Sequence, residues 1–251
     1  MEKDYTAKEL RVNGMVQGVG FRPFVYQLAN KHGITGEIAN TSSGVFIHLE
    51  GSKANIESFC HDLSQKSPPL SHITEISIHT GHIKGLKSFS IAESRSQDSH
   101  STLISPDVSV CDECLDELLD PGNRRFLYPF INCTNCGPRY TIIDGIPYDR
   151  VSTSMKHFRM CRTCQAEYDD PEDRRFHAQP NACDDCGPHV RLHDRNGTAM
   201  VEPNPVETAT ALLKEGHILA VKGLGGFHLS ADAGNDETVA RLRKRKRPSK
   251  R

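Results

Sequence analysis

Four C-x-x-C pairs constrain this chain more than any other feature of it. Cys111, Cys114, Cys133 and Cys136 follow the spacing C-x2-C-x18-C-x2-C, and Cys161, Cys164, Cys183 and Cys186 repeat it with a period of 50. The repeat is wider than its cysteines. CDECLDELLDPGNRRFLYPFINCTNCGP at 111–138 returns as CRTCQAEYDDPEDRRFHAQPNACDDCGP at 161–188, in register. Two copies of one small unit are the reading. Tetrahedral zinc takes four thiolates at about 2.3 Å, and each knuckle offers two of them from one tight turn. Gly137 and Gly187, which follow the second knuckle of each copy, help such turns close. Four sulfur ligands leave no open position, so the two Zn2+ sites read as structural. Pairing of knuckles within a copy is the default, but first with fourth and second with third satisfies the same chemistry.

The reading as metal ligands rather than disulfides rests on compartment. The N-terminus, MEKDYTAKELRVNGMV, has no apolar stretch of signal-peptide length. No window approaches the roughly 18 apolar residues of a membrane span, so no membrane is expected and a cytoplasmic location is. The ninth cysteine, Cys60, falls on the apolar side of a predicted helix and reads as a core residue. Hydrophobic residues make up 36% of the chain and Trp is absent, so its cores should be modest and metal should help hold part of it together.

The formal net charge of -1 argues against a wholly basic nucleic-acid binder. Acidic runs such as CDECLDELLD and EYDDPED lie across the knuckles, where a nucleic-acid module would carry basic and aromatic residues. This weighs against the alternative of a zinc-finger binding module on an inert ferredoxin-like scaffold, and no nucleic acid is expected as a partner. The basic run RLRKRKRPSKR at 241–251 is local and reads as a solvated tail.

Before the repeat, residues 1–93 alternate strand and helix patterns. ELRVNGMV alternates like a strand. FRPFVYQLANKHG carries a helical apolar face, with Gly33 at the C-cap position. ITGEIAN, the turn TSSG and VFIHLEG read as a hairpin. KANIESFCHDLSQKS supplies a second helix with Ile56, Phe59, Cys60 and Leu63 inward, and HITEISIHTG and LKSFSIAE finish as strands. The order β-α-β-β-α-β is that of the α+β, ferredoxin-like sandwich. Residues 94–105 read as a polar linker and 106–200 as the tandem finger region. From 204 to 251 comes an amphipathic helix stopped by Gly216, then HILAVKG as a buried-type strand, then the opening of another α/β unit. That segment is expected to be the start of a longer, truncated domain.

The run VQGVGFRPF at 16–24 places glycines between a strand and a helix start, followed by an arginine. Free N–H groups and the helix dipole favour an anion there, and a guanidinium adds a planar fork of donors. The longer run VNGMVQGVGFRPFVYQLANKHGITGEIANTSSGVFIHLEG resembles the acylphosphatase signature over about 90 residues. The resemblance implies that Arg22 and the backbone amides of Gln17, Gly18, Val19, Gly20 and Phe21 hold the phosphate, and that Asn40 orients the attacking water.

The order acylphosphatase-like domain, two C4 fingers, then KGLGGFHL resembles the hydrogenase maturation carbamoyltransferases, the HypF family. DPGNRRFLYPFINCTNCGPRYTI, PYDR and RRFHAQPNACDDCGP carry that resemblance. It implies a relay in which carbamoyl phosphate is split to carbamate and phosphate and a YrdC-like domain makes carbamoyl-adenylate with ATP and Mg2+. The carbamoyl group then moves to the C-terminal cysteine of HypE. LRKRKRPSKR departs from the family's run by one residue before the chain ends. Lys246 and Arg247 match the basic pair that meets the nucleotide, in a shifted register. The piece by itself is expected only to hydrolyse an acyl phosphate. The Arg-Arg pairs at 124–125 and 174–175 are expected to salt-bridge to nearby aspartates and support the knuckles, and His177 is not expected to bind metal.

Overall fold

The alternation in YTAKELRVNGM produces a strand, β1 (Tyr5–Met15), whose inward residues Leu10 and Val12 are fully buried. In this computed structural model, residues 4–95, 102–223 and 226–246 are described. The chain divides into two compact units, Met1–Pro188 and His189–Arg251.

The first unit begins with an α/β sandwich. After β1 come α1 (Phe21–Lys31), β2 (Thr35–Thr41), β3 (Gly44–Ser52), α2 (Lys53–Gln65), β4 (His72–Thr80) and the short β5 (Phe89–Ile91). The sheet order is β4-β1-β3-β2-β5, antiparallel except for the β2–β5 edge pair. This is the split βαβ arrangement expected from the pattern, with one further edge strand. Register pairs Leu10 with Ile47 and Val12 with Val45, so one sheet face is apolar along its length. Phe21, Val25, Leu28 and Ala29 of α1 and Ile56, Phe59 and Leu63 of α2 cover that face. Cys60 is half-buried against the same core, and burial pushes its thiol up. Burying a side chain such as Phe59 contributes about 1.5–3 kcal/mol. The α1 helix ends at His32, and Gly33 follows at φ 62, as a C-cap glycine should.

The ends of the polar connection lie on the sandwich. Arg95 donates its N–H to the Asn40 carbonyl at 2.8 Å, and Thr102 bonds the Ser42 carbonyl through its hydroxyl at 3.0 Å. The finger region follows with two eight-residue helices, α3 (Asp112–Leu119) and α4 (Arg162–Asp169), each starting at the first cysteine of its copy. Between them, 140–157 forms short 3-10 turns. The second copy packs on α1: the rings of Tyr26 and Phe176 meet edge to face at 5.4 Å.

In the second unit, α5 (Pro205–Lys214) is capped by Asn204, and its end is followed by Gly216 at φ 82. Strands β6 (Leu219–Lys222) and β7 (Phe227–Ser230) pair antiparallel, and α6 (Asp236–Lys246) follows. The sequence HILAVKG reads as a buried strand, but β6 is largely exposed, with Val221 at 51%. Its apolar run implies cover on both faces, whereas the described sheet has two strands only. Among the described residues no helix is long and apolar enough to cross a membrane.

Candidate functional site

The eight finger cysteines form two clusters. Cys111, Cys114, Cys133 and Cys136 bring their Sγ atoms within 4.8 Å of one another, and Cys161, Cys164, Cys183 and Cys186 do the same. Knuckles are therefore paired within each copy. The fold decides this, because α3 and α4 each set their own copy's first knuckle against its second. Four thiolates at 2.3 Å from a tetrahedral zinc stand about 3.8 Å apart. Cys111–Cys133, Cys133–Cys136, Cys161–Cys183 and Cys183–Cys186 are each 3.8 Å apart, and Cys164–Cys186 is 3.6 Å. Donor set and spacing both fit zinc with no open coordination position.

The arginine pairs do not bridge to nearby aspartates as expected. They cross to the other copy. Arg124 and Arg125 of the first copy bind Glu167 of the second, at 2.8 Å and 2.5 Å. Arg174 and Arg175 of the second bind Glu117 of the first, with Arg174 Nε at 2.9 Å. Each pair also reaches the other copy's sulfurs: Arg124 Nη2 lies 3.3 Å from Cys164 Sγ and Arg174 Nη2 lies 2.7 Å from Cys114 Sγ. A zinc held by four thiolates is formally dianionic, so a guanidinium at its edge offsets charge that burial would otherwise penalise. Burial works to raise the Glu167 carboxyl, but Arg125 and then Arg124 hold it at about 2. The glutamates that reach across, Glu117 and Glu167, each lie three residues beyond the second cysteine of the first knuckle in their copy.

The run VQGVGFRPF forms the strand-to-helix turn it implied. Gly18 and Gly20 take positive φ, 72° and 75°, and Gly20 is the N-cap of α1. Among the described residues, no protein acceptor takes the N–H of Gly18, Val19, Gly20, Phe21 or Arg22. These amides sit at the positive end of α1. Val19 and Phe21 turn their side chains into the core. The Gln17 side chain braces the turn: its Nε2 donates to the Thr41 and Gly44 carbonyls at 2.7 and 2.8 Å, tying the turn to the β2–β3 hairpin.

Arg22 and Asn40 line one cleft with this turn. Asn40 is fully buried on β2, and its Oδ1 has no partner among the described residues. A buried acceptor left open in this way fits a site that takes a water or a ligand.

The other wall comes from the finger region, and reading the sequence did not find it. Arg22 Nη1 donates to Asp149 at 2.7 Å and Nη2 to the Tyr148 carbonyl at 3.3 Å. Asn40 Nδ2 donates to the same carbonyl at 3.1 Å, and the Tyr148 N–H returns to Gln17 Oε1 at 2.8 Å. Arg139, almost fully buried, donates through Nε to the Gly18 carbonyl and through Nη2 to the Thr134 carbonyl at 2.8 Å. It thus joins the first copy's second knuckle to the glycine turn. Thr134, His177, Gln179 and Pro180 complete the cleft. Burial, and then the Arg22 charge, lower the His177 pKa to about 4, so its ring is neutral near pH 7. His177 lies outside both four-cysteine clusters. The available signal was PYDR, whose Tyr148 and Asp149 lie over 100 residues from their partners. Lys246 is exposed at the end of α6, and Arg247 lies outside the described residues.

Comparison with known proteins gives a consistent picture. Residues 8–91 match the acylphosphatase family, 110–143 and 160–193 the HypF finger family, and 211–251 a family described as telomere recombination, of the Sua5/YciO/YrdC type. The chain is 50% identical over 240 residues to a probable carbamoyltransferase HypF of Methanocaldococcus jannaschii, covering 94% of this chain and 31% of that protein. It is 51% identical over 239 residues to carbamoyltransferase HypF2 of Cupriavidus necator, covering 94% and 30%. An acylphosphatase of Thermotoga maritima is 37% identical over 86 residues, which are 34% of this chain and 94% of that one. A crystal structure of full-length HypF in the phosphate- and nucleotide-bound form superposes with a TM-score of 0.90 at 47% identity, over 98% of this chain and 32% of that one. This chain therefore spans about a third of the length of its carbamoyltransferase relatives.

Proposed function

The chain belongs to the HypF family and carries an acylphosphatase domain at residues 8–91, and on that premise we propose that its cleft hydrolyses carbamoyl phosphate. One observation carries this reading: Arg22, the unpartnered amides of the glycine turn and the buried, unpartnered Asn40 Oδ1 converge on a single cleft. The amides of residues 17–21 and the Arg22 guanidinium hold the phosphoryl oxygens. Asn40 accepts a hydrogen bond from a water and aims it at phosphorus. The water oxygen forms a bond to phosphorus while the bond from phosphorus to the carboxyl oxygen breaks. The bond's electron pair leaves with the carbamate anion, and both protons of the water remain on inorganic phosphate, released as dihydrogen phosphate. Little covalent help is needed when an oxyanion is held and a nucleophile is placed in line.

In the whole enzyme, carbamate passes to the YrdC-like part, which begins near residue 204. There ATP with Mg2+ converts it to carbamoyl-adenylate with release of pyrophosphate, Lys246 and Arg247 meeting the nucleotide. The carbamoyl group then reaches the C-terminal cysteine of HypE, in the cytoplasm. The two zinc ions are structural and carry the finger wall of the cleft.

The test is phosphate release from carbamoyl phosphate by this chain beside Arg22→Ala. Loss of an oxyanion donor should cost about 10²–10³ in rate. Equal release by the variant would place the chemistry elsewhere.

A further inference from the structure

The finger repeat contains its own control. Position 127 of the first copy corresponds to 177 of the second, and both take the left-handed backbone, Leu127 at φ 55 and His177 at φ 54. Both also make the same backbone bond, Leu127 N–H to the Leu118 carbonyl at 2.8 Å and His177 N–H to the Tyr168 carbonyl at 3.0 Å. The unusual conformation therefore belongs to the repeat's architecture, and only the choice of side chain is free. In the first copy that side chain is a leucine, 50% exposed. In the second it is an imidazole that lines the cleft with Arg22 and Asn40.

The ring is fixed in direction. It packs edge to face on Phe176 at 4.6 Å and lies against Tyr168 at 4.8 Å. Among the described residues its nitrogens have no protein hydrogen-bond partner, and the residue is only half-buried, so a ring nitrogen is left for a ligand or water. Several other acceptors around the cleft are engaged. The Tyr148 carbonyl takes Arg22 and Asn40, Asp149 takes Arg22, and Gln179 Oε1 takes the Arg150 N–H at 2.7 Å. Asn40 Oδ1 is open, and the hydrolysis assigns it to water. The burial that keeps the imidazole neutral leaves one ring nitrogen as an acceptor.

We propose that His177 reads the acyl group of the substrate, accepting an N–H of the carbamoyl amide and so favouring carbamoyl phosphate over acyl phosphates of the same size that lack that donor. This rests on the hydrolase reading above. Acetyl phosphate is the matched probe, because a methyl replaces the amino group with little change of shape. A polar site built for a donor rejects an analogue without one more strongly than an apolar site rejects a change of size.

The experiment compares kcat/KM for carbamoyl phosphate and acetyl phosphate in the wild-type chain, His177→Leu and His177→Phe. Leucine is the residue the first copy carries at this backbone conformation, and phenylalanine keeps a ring between Phe176 and Tyr168 should leucine fail to fold. The expected result is a wild-type preference for carbamoyl phosphate that shrinks about tenfold in either variant, the scale of one hydrogen bond. A preference that stays at its wild-type ratio, whether both activities fall together or neither moves, overturns the role of His177. No phosphate release from either substrate by the wild-type chain sinks the hydrolase reading itself, an outcome distinct from an unchanged ratio.

Discussion

Arg22 on α1 and Asp149 in the finger region meet at 2.7 Å, although 127 residues of chain separate them. Neither side chain is far from full burial, at 9% and 23% exposure. The residue that should hold phosphate is thus oriented by a part of the chain outside its own domain. We expect Arg22→Ala and Asp149→Ala to be non-additive in urea unfolding, with a coupling of about 1–3 kcal/mol, since either change alone leaves a poorly solvated charge unpaired. Strict additivity would mean that the pair is merely adjacent.

The crossing of arginines between finger copies predicts a crossed phenotype. Arg125→Ala is a first-copy change, but it removes a partner of Glu167 and of the Ala182 carbonyl in the second copy. Zinc should therefore leave the Cys161, Cys164, Cys183 and Cys186 site at about tenfold lower chelator concentration, the scale of a lost outer partner of a metal site. Arg175→Ala should weaken the first site in the same way. Cysteine 13Cβ shifts followed during chelator titration report each site separately. Preferential loss from the copy that carries the substitution would refute the crossing.

A third expectation concerns pH and the sandwich alone. Glu50 is fully buried on β3 and accepts from His48 at 2.9 Å and from the amides of Lys84, Gly85 and Leu86 at 2.7, 3.0 and 3.3 Å. Burial acts to raise its pKa, but His48 and these three amides bring it below the ordinary carboxylate value of 4.5. A depressed folded pKa contributes stability that is present above 4.5 and lost as pH falls through the lower folded value. Amide exchange at 84–86 should lose protection across that acid window in the wild type, after correction for intrinsic rates. Glu50→Gln should show low protection with no such step. A wild-type profile flat between pH 4.5 and acid unfolding would contradict this.

Much of the chain was legible because its signals are local. The strand alternation of residues 5–15, the apolar face of 21–31 and the hairpin turn at 41–44 each follow from a few neighbouring side chains, and all appear where the pattern puts them. HILAVKG reads as a buried strand and is largely exposed in the structure for a related reason. Apolar content reports a tendency to be covered, but exposure depends on what else is packed there.

By itself the sequence determined the ligands of both metal sites, the repeat that carries them and the glycine turn that ends on Arg22. These are properties of residue type and short spacing. Tertiary structure alone decided that each copy closes its own cluster, that Arg124 and Arg125 serve the other copy's glutamate, that Tyr148, Arg139 and His177 wall the cleft, and that Asp149 pairs with Arg22. In a perfect repeat, pairing within a copy and pairing across copies use the same residues at the same spacing, so only the packing of α3 and α4 distinguishes them. Contacts across more than 100 residues leave no periodicity in the chain, because their geometry is fixed by the packing of the fingers on the sandwich.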